Sequence, residues 1–188
     1  MLWAESSRHS RFIPTFAGPD LIVIERISLS SAFVFKDVRL RALEEAPTAF
    51  SSTYAKEAAF PDDEWKKRAM RWSSGASAGF LAFDGNRGCG MVFSFAEELN
   101  PARAQVVSMW VAPEVRRDGV GRRLIETVAE WARGREMREL KLMVTSVNHG
   151  AIAFYERLGF RMTGMEEVYP NDASIRQFEM VLGLIGYS

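Results

Sequence analysis

Residues 104–133, AQVVSMWVAPEVRRDGVGRRLIETVAEWAR, constrain the fold of this chain more than any other stretch. Residues 104–111 are almost continuously apolar, which predicts a strand buried on both faces. Leu124, Ile125, Val128, Ala129 and Ala132 then recur at helical spacing, so a helix runs to about Arg135. Between the two lies VRRDGVGRRL. Its glycines, Gly119 and Gly121, permit a tight turn and the close approach of a ligand to backbone N–H groups. Arg116, Arg117, Arg122 and Arg123 bracket them. Cations at a helix N-terminus oppose the helix dipole, which favours acids there by ~0.3–1 kcal/mol per charge. The arginines are either solvated surface charges or the surroundings of an anion site, and a multiply charged anion such as a pyrophosphate explains their placement.

The rest of the chain supplies strands and helices in alternation. LIVIERI (21–27) reads as a strand, and a helix capped by Ser30 or Ser31 runs to about Glu45. Helical segments follow at 51–60 and 61–72, the second with Pro61 and acids first and bases later. Residues 77–84 and 89–97 read as a hairpin across GNRG, and 140–146 as a strand with Leu140, Leu142 and Val144 on one face. A helix from Asn148 ends at Gly159, and strands at 160–168 and 177–182 close the chain. This order predicts one α/β domain with a mixed sheet over residues 21–188, preceded by an aperiodic arm, 1–20, whose Phe12, Ile13 and Phe16 are able to dock on the body.

Composition excludes several functions. Lys plus Arg and Asp plus Glu each total 24 in 188 residues, so the basic excess of a general nucleic-acid binder is missing. One cysteine, Cys89, rules out an intramolecular disulfide, and two histidines without metal-ligand spacing argue against a metal enzyme. The apolar runs are shorter than the ~20 residues of a membrane span. These features predict a cytoplasmic protein with neither membrane nor nucleic-acid partners, and a homodimer is compatible with them. A Walker A loop is absent, and Leu124 stands where a dinucleotide fingerprint needs its third glycine.

A second stretch, NHGAIAFYERLGF (148–160), places Asn148 and Tyr155 nearly two turns apart on one helix face. As an amide and a phenol they suit binding and proton donation. As structural residues they are an N-cap and a core aromatic.

Together, in this order, VAPEVRRDGVG (111–121) and NHGAIAFYERLGF resemble the pyrophosphate loop and the second cofactor motif of the GNAT superfamily of acetyl-CoA-dependent N-acetyltransferases. The resemblance covers about Leu21 to Leu182. It implies a largely antiparallel mixed sheet of six to seven strands, splayed between the fourth and fifth to hold acetyl-CoA, and flanked by helices. Backbone groups of Met109 and Val111 would pair with the pantetheine arm. The loop Arg116, Arg117, Asp118, Gly119, Val120, Gly121 and Arg122 would hold the pyrophosphate, Asn148 would bond the acyl donor, and Tyr155 would serve the departing sulfur. No metal is implied.

The activity implied is acetyl transfer to a primary amine of a small molecule or peptide, by direct attack on the thioester. A non-catalytic acyl-CoA sensor on the same fold is the rival. A branch acting on protein N-terminal amines carries a Glu five residues before the motif Asn, where this chain has Met143. Glu97, Glu98, Glu166, Glu167 and Asp172 stand as other candidates for the base, each equally suited to being a surface acid. The charged stretch 56–71 reads as a solvated helix face.

Overall fold

The computed structural model describes residues 22–184, so the arm at 1–20 lies outside the described residues. Seven strands, β1 (Ile22–Arg26), β2 (Ser77–Asp84), β3 (Arg87–Ala96), β4 (Arg103–Val111), β5 (Glu139–Thr145), β6 (Arg161–Val168) and β7 (Arg176–Gly183), form one sheet in the order β1-β2-β3-β4-β5-β7-β6. Every neighbouring pair is antiparallel except β4–β5, which is parallel. Five α-helices lie among the described residues: α1 (Ala32–Glu45), α2 (Tyr54–Ala58), α3 (Asp62–Ser73), α4 (Val120–Arg133) and α5 (His149–Arg157). The strand and helix order is the one read from sequence, and the splayed mixed sheet is present.

The two faces of the sheet follow from the register. Phe93 packs edge-on against Phe35 of α1 and tilts against Trp72 of α3, so its face belongs to those helices. Val107 pairs with Phe93 and Gln105 with Phe95, and therefore share it. The opposite face carries α4, where Leu124 reaches Gly90. Leu140, Leu142 and Val144 alternate with the less buried Lys141 and Met143, as their spacing predicts. The inward stripe of α4, from Val120 through Leu124, Ile125, Val128 and Ala132, is almost wholly buried.

Two expectations are corrected. The strand at 104–111 is not buried on both faces: Gln105, Val107, Ser108, Met109 and Val111 are half-buried, because among the described residues most of one strand edge has no neighbour. The fully enclosed strands are β2 and β3, sandwiched between α1/α3 and α4. The stretch 56–71 is not wholly solvated either. Glu57 is 1% exposed, and its carboxylate accepts from Arg39 Nε and Nη2 at 3.0 and 2.7 Å and from Arg68 Nη1 at 3.3 Å. Burial raises the Glu57 pKa, but those hydrogen bonds and charges outweigh it and hold the carboxyl below its usual range.

Core packing at Gly79 leaves no room for a side chain. A Cβ there would lie 2.5 Å from two ring carbons of Phe93 and 2.9 Å from Ile27 Cγ2. Phe35 and Trp72 hold the Phe93 ring in place. Gly79→Ala is expected to cost ~1–3 kcal/mol by overpacking, read from the urea midpoint. An unchanged midpoint would show that Phe93 repacks freely.

Candidate active site

The parallel strands β4 and β5 pair only through Arg103–Glu139, Ala104–Leu140 and Gln105–Lys141, then run on without pairing to Val111 and Thr145. Charge locks the joined end. Arg103 donates Nε and Nη2 to Glu139 at 2.9 and 2.8 Å. Lys141 meets Glu97 at 2.6 Å and Glu179 of β7 at 3.3 Å. Burial lowers the Lys141 pKa, and the hydrogen bonds and charges of these two carboxylates more than reverse it, so the ammonium is held above its usual value.

Along the unpaired length, β4 is bulged. Its pairing with β3 shifts between Phe93–Val107 and Met91–Trp110, and Ser108 takes a φ of +54°. Such a bulge bends and twists its strand, which helps carry β4 away from β5. Beyond it, Ala112 N–H bonds to Cys89 O in β3 at 2.8 Å. Backbone groups alternate along a strand, so Met109 and Val111 turn theirs to the open edge.

A short loop then leads into α4. Gly119 at φ +79° precedes the helix and brings no capping oxygen. The first closing bond runs from Arg123 N–H to Gly119 O at 3.1 Å, so the N–H groups of Val120, Gly121 and Arg122 lack intrahelical acceptors. Gly121 sits close against its neighbours: a Cβ there would meet Phe154 of α5 at 3.0 Å and Met109 Cε at 3.4 Å. A Cβ on Gly119 would meet nothing within 4 Å. The helix start is thus an uncapped, open array of donors beside an open strand edge, a fit for a phosphorylated, extended ligand.

The arginines divide in role. Arg116 donates Nε to Val111 O at 2.9 Å and Nη1 and Nη2 to Glu45 at 3.1 and 2.6 Å. That bond lowers the Glu45 pKa, against a smaller upward pull from burial, and Trp110 Nε1 adds to the lowering. Arg116 therefore ties the loop to α1. Arg122 lies 3.7 Å from Glu126, one turn on. Arg117 (φ +76°) and Asp118 are exposed in the turn, and Val120 is buried beneath it.

Across the gap, Asn148 caps α5, its Oδ1 accepting from Ala151 N–H at 3.1 Å. Its Nδ2 hydrogens remain as donors. The Tyr155 ring packs edge-on against Phe154 and Phe160 and is 8% exposed. Burial alone pushes its phenol well above the usual range, which favours the neutral form.

A matching sequence model covers residues 40–160 and describes the acetyltransferase (GNAT) family. The chain belongs to the GNAT acetyltransferase family. Streptothricin acetyltransferase of Streptomyces lavendulae is 40% identical over 73 residues, 38% of this chain and 39% of that protein. The crystal structure of nourseothricin acetyltransferase is 31% identical, with a TM-score of 0.55 over 67% of this chain and 69% of that one. The GNAT fold recurs in yncA from Salmonella typhimurium, solved with its cofactor acetyl-CoA: TM-score 0.73, 15% identity, 89% of this chain and 96% of that one. The chain spans 35–39% of the length of the first curated relatives it matches.

Within this GNAT domain the carboxylates named from sequence scatter. Glu97 binds Lys141, Glu98 is exposed, Glu166 pairs with Arg176 at 3.1 Å, and Glu167 is exposed on β6. Asp172 accepts from Ser174 N–H and Oγ within its own loop, which lowers its pKa. Glu179 was not among them. It pairs in register with Met143 and shares its face, a neighbourhood invisible until β7 is known to lie beside β5. Arg39 and Ser108 were missed too. Arg39 occupies an inward position between Phe35, Val38, Ala42 and Leu43, a signal present in the sequence. Among the described residues, no group of His, Cys, Asp or Glu suits a metal, and no helix is long and apolar enough to cross a membrane.

If the donor array at α4 binds phosphate, charge placed on Gly119 must weaken it. Asn and Asp both tolerate positive φ and have the same size. Gly119→Asp should bind CoA at least tenfold more weakly than Gly119→Asn by calorimetry, and added NaCl should shrink the gap. Equal affinities would remove the phosphates from this loop.

Proposed function

We propose that the protein transfers the acetyl group of acetyl-CoA to a primary amine. The observation that carries this reading is the conjunction of an unpaired β4 edge, the uncapped start of α4, and a neutral, buried Tyr155 on α5 across the gap. Met109 and Val111 would receive the extended pantetheine arm. The N–H groups of residues 119–122, with the charge of Arg117 and Arg122, would hold the pyrophosphate, and Asn148 Nδ2 would donate to the same ligand. The yncA structure, whose cofactor is acetyl-CoA, supports the choice of acyl donor.

In the reaction, acetyl-CoA supplies a thioester carbonyl. The amine nitrogen uses its lone pair to form the C–N bond, the carbonyl oxygen gains charge, and its return to a carbonyl breaks the C–S bond. The nitrogen loses one proton and the sulfur gains one. A phenol at ~10 and a thiol at ~8.5 make donation from tyrosine uphill by ~2 kcal/mol, and burial of Tyr155 steepens that slope. Its stronger role is a hydrogen bond that stabilises the leaving thiolate. For the nitrogen's proton, Glu179, beside Met143 in the sheet and 3.3 Å from Lys141, would act as base through a water.

The acceptor is a small molecule or a peptide. The streptothricin and nourseothricin acetyltransferases favour a small amine, and a peptidyl-lysine N-acetyltransferase of Escherichia coli, 38% identical over 61 residues, favours a lysine side chain.

A panel of primary amines with acetyl-CoA, followed by thiol release, tests the activity. In the same assay Tyr155→Phe should lower kcat about ten- to a thousandfold with little change in the KM for acetyl-CoA, as for a bond made mainly in the transition state. Parent turnover in Tyr155→Phe, with chemistry rate-limiting, would make Tyr155 a packing residue. Acetyl-CoA binding with no amine acetylated would favour the sensor reading.

A further inference from the structure

The buried cluster beneath the cleft leads to a second hydroxyl. Arg39 reaches from α1 with its guanidinium fixed three ways: by the two-point contact with Glu57, by the Phe50 ring 4.8 Å from its Cζ, and by the remaining Nη1, which donates to Ser108 Oγ at 3.2 Å. Arg68 closes the other side of the Glu57 carboxylate. The Arg39–Glu57 pair is more than nine-tenths buried, so the Nη1 donor is held rigidly.

This contact fixes which way Ser108 can act. A guanidinium has five N–H donors and no acceptor. Ser108 oxygen therefore accepts from Arg39, and its own proton has to point elsewhere. Among the described residues Ser108 Oγ has no second partner. Donation from a cation also polarises the hydroxyl and strengthens it as a donor.

Its placement supplies the direction. Ser108 is three residues past the last β4–β5 pair, half-buried, at the bulge where β4 is left open. It holds a φ of +54°, a conformation that glycine adopts freely and serine rarely. Strain of this kind collects at functional sites, and here it falls on a serine where glycine would relieve it.

We propose that the Ser108 hydroxyl is a hydrogen-bond donor to the acyl oxygen in the cleft, and that Arg39, anchored by Glu57, is the positioning residue that orients and polarises it. The inference rests on the acyl-transfer reading above. Ser108 gives up no proton in this role: it stabilises the oxygen while charge accumulates there and is unchanged when the C–S bond breaks. The pair thus adds a side-chain donor to whatever the β4 backbone provides.

The test reads the carbonyl directly. Acetyl-CoA labelled with carbon-13 at the thioester carbonyl is bound to the parent protein, to Ser108→Ala and to Ser108→Gly, and its C=O stretch is measured by difference infrared spectroscopy. Glycine suits the backbone at 108, so it covers the case in which alanine fails to fold. The parent complex should show the lowest frequency, and both variants should move it up while CoA affinity stays at the parent level. With an amine substrate, kcat should fall on the order of a hundredfold in both. Arg39→Lys keeps a cation against Glu57 without the fixed N–H and should shift the band part-way; an unmoved band would remove the positioning role.

One frequency in all three complexes overturns the proposal. If that happens while the parent acetylates amines, the transferase reading stands alone. If the band moves but no amine is acetylated, Ser108 keeps its role as an acyl contact and the transferase reading falls. A parent protein that binds no acetyl-CoA overturns both.

Discussion

Parallel strands β4 and β5 share hydrogen bonds over Arg103–Gln105 and Glu139–Lys141 alone, and the candidate site is built on what happens after that junction. An open strand edge exposes backbone donors and acceptors that water or a ligand must satisfy. In the middle of a seven-stranded sheet such an edge persists only because other contacts hold the strands apart. Each strand has a firm partner on its far side, β3 for β4 and β7 for β5. The junction is clamped by Arg103–Glu139 and by Lys141 between Glu97 and Glu179. On the α1 side, Tyr169 donates its hydroxyl to Phe50 O at 2.5 Å and Asn171 Nδ2 donates to the same oxygen at 3.0 Å, tying the β6–β7 turn to the segment after α1.

The arginines of VRRDGVGRRL gain their meaning from this frame. Set against the dipole of α4, four cations look unfavourable. Arg116 is neutralised by Glu45 and serves as a brace between the loop and α1. Arg122 is moderated by Glu126. The backbone N–H groups of residues 120–122 add to the positive field at this helix start. On the acyl-transfer reading, a chain of zero net charge would hold its anion at this one helix start.

The sequence disclosed some layers better than others, for physical reasons. Local periodicity made the strands and helices readable, and the helix after the glycine loop was found because its apolar stripe repeats with the helical period. The GNAT motifs placed the splay between the fourth and fifth strands. Neighbourhoods created by long-range register were hidden. Glu179 is 36 residues from Met143 in the chain and adjacent to it in the sheet. Glu57 read as a solvated acid because its two arginines come from α1 and α3. Ser108 looked like one more strand residue, since nothing local announces a bulge that is defined by the pairing of β3 with β4. The apolar run at 104–111 misled for the same reason: its composition suits burial, but its edge is left open.

On the acyl-transfer reading, one extended, phosphorylated ligand lies along the open edge of β4 and ends at the start of α4. Backbone amide NMR of the labelled protein titrated with CoA measures this most directly. The account predicts the largest amide shifts at Met109, Val111 and residues 119–122, saturating together with a single dissociation constant, while the β1–β2 edge stays unmoved. Shifts confined to other surfaces, or saturation of the β4 and α4 amides at different concentrations, would contradict it.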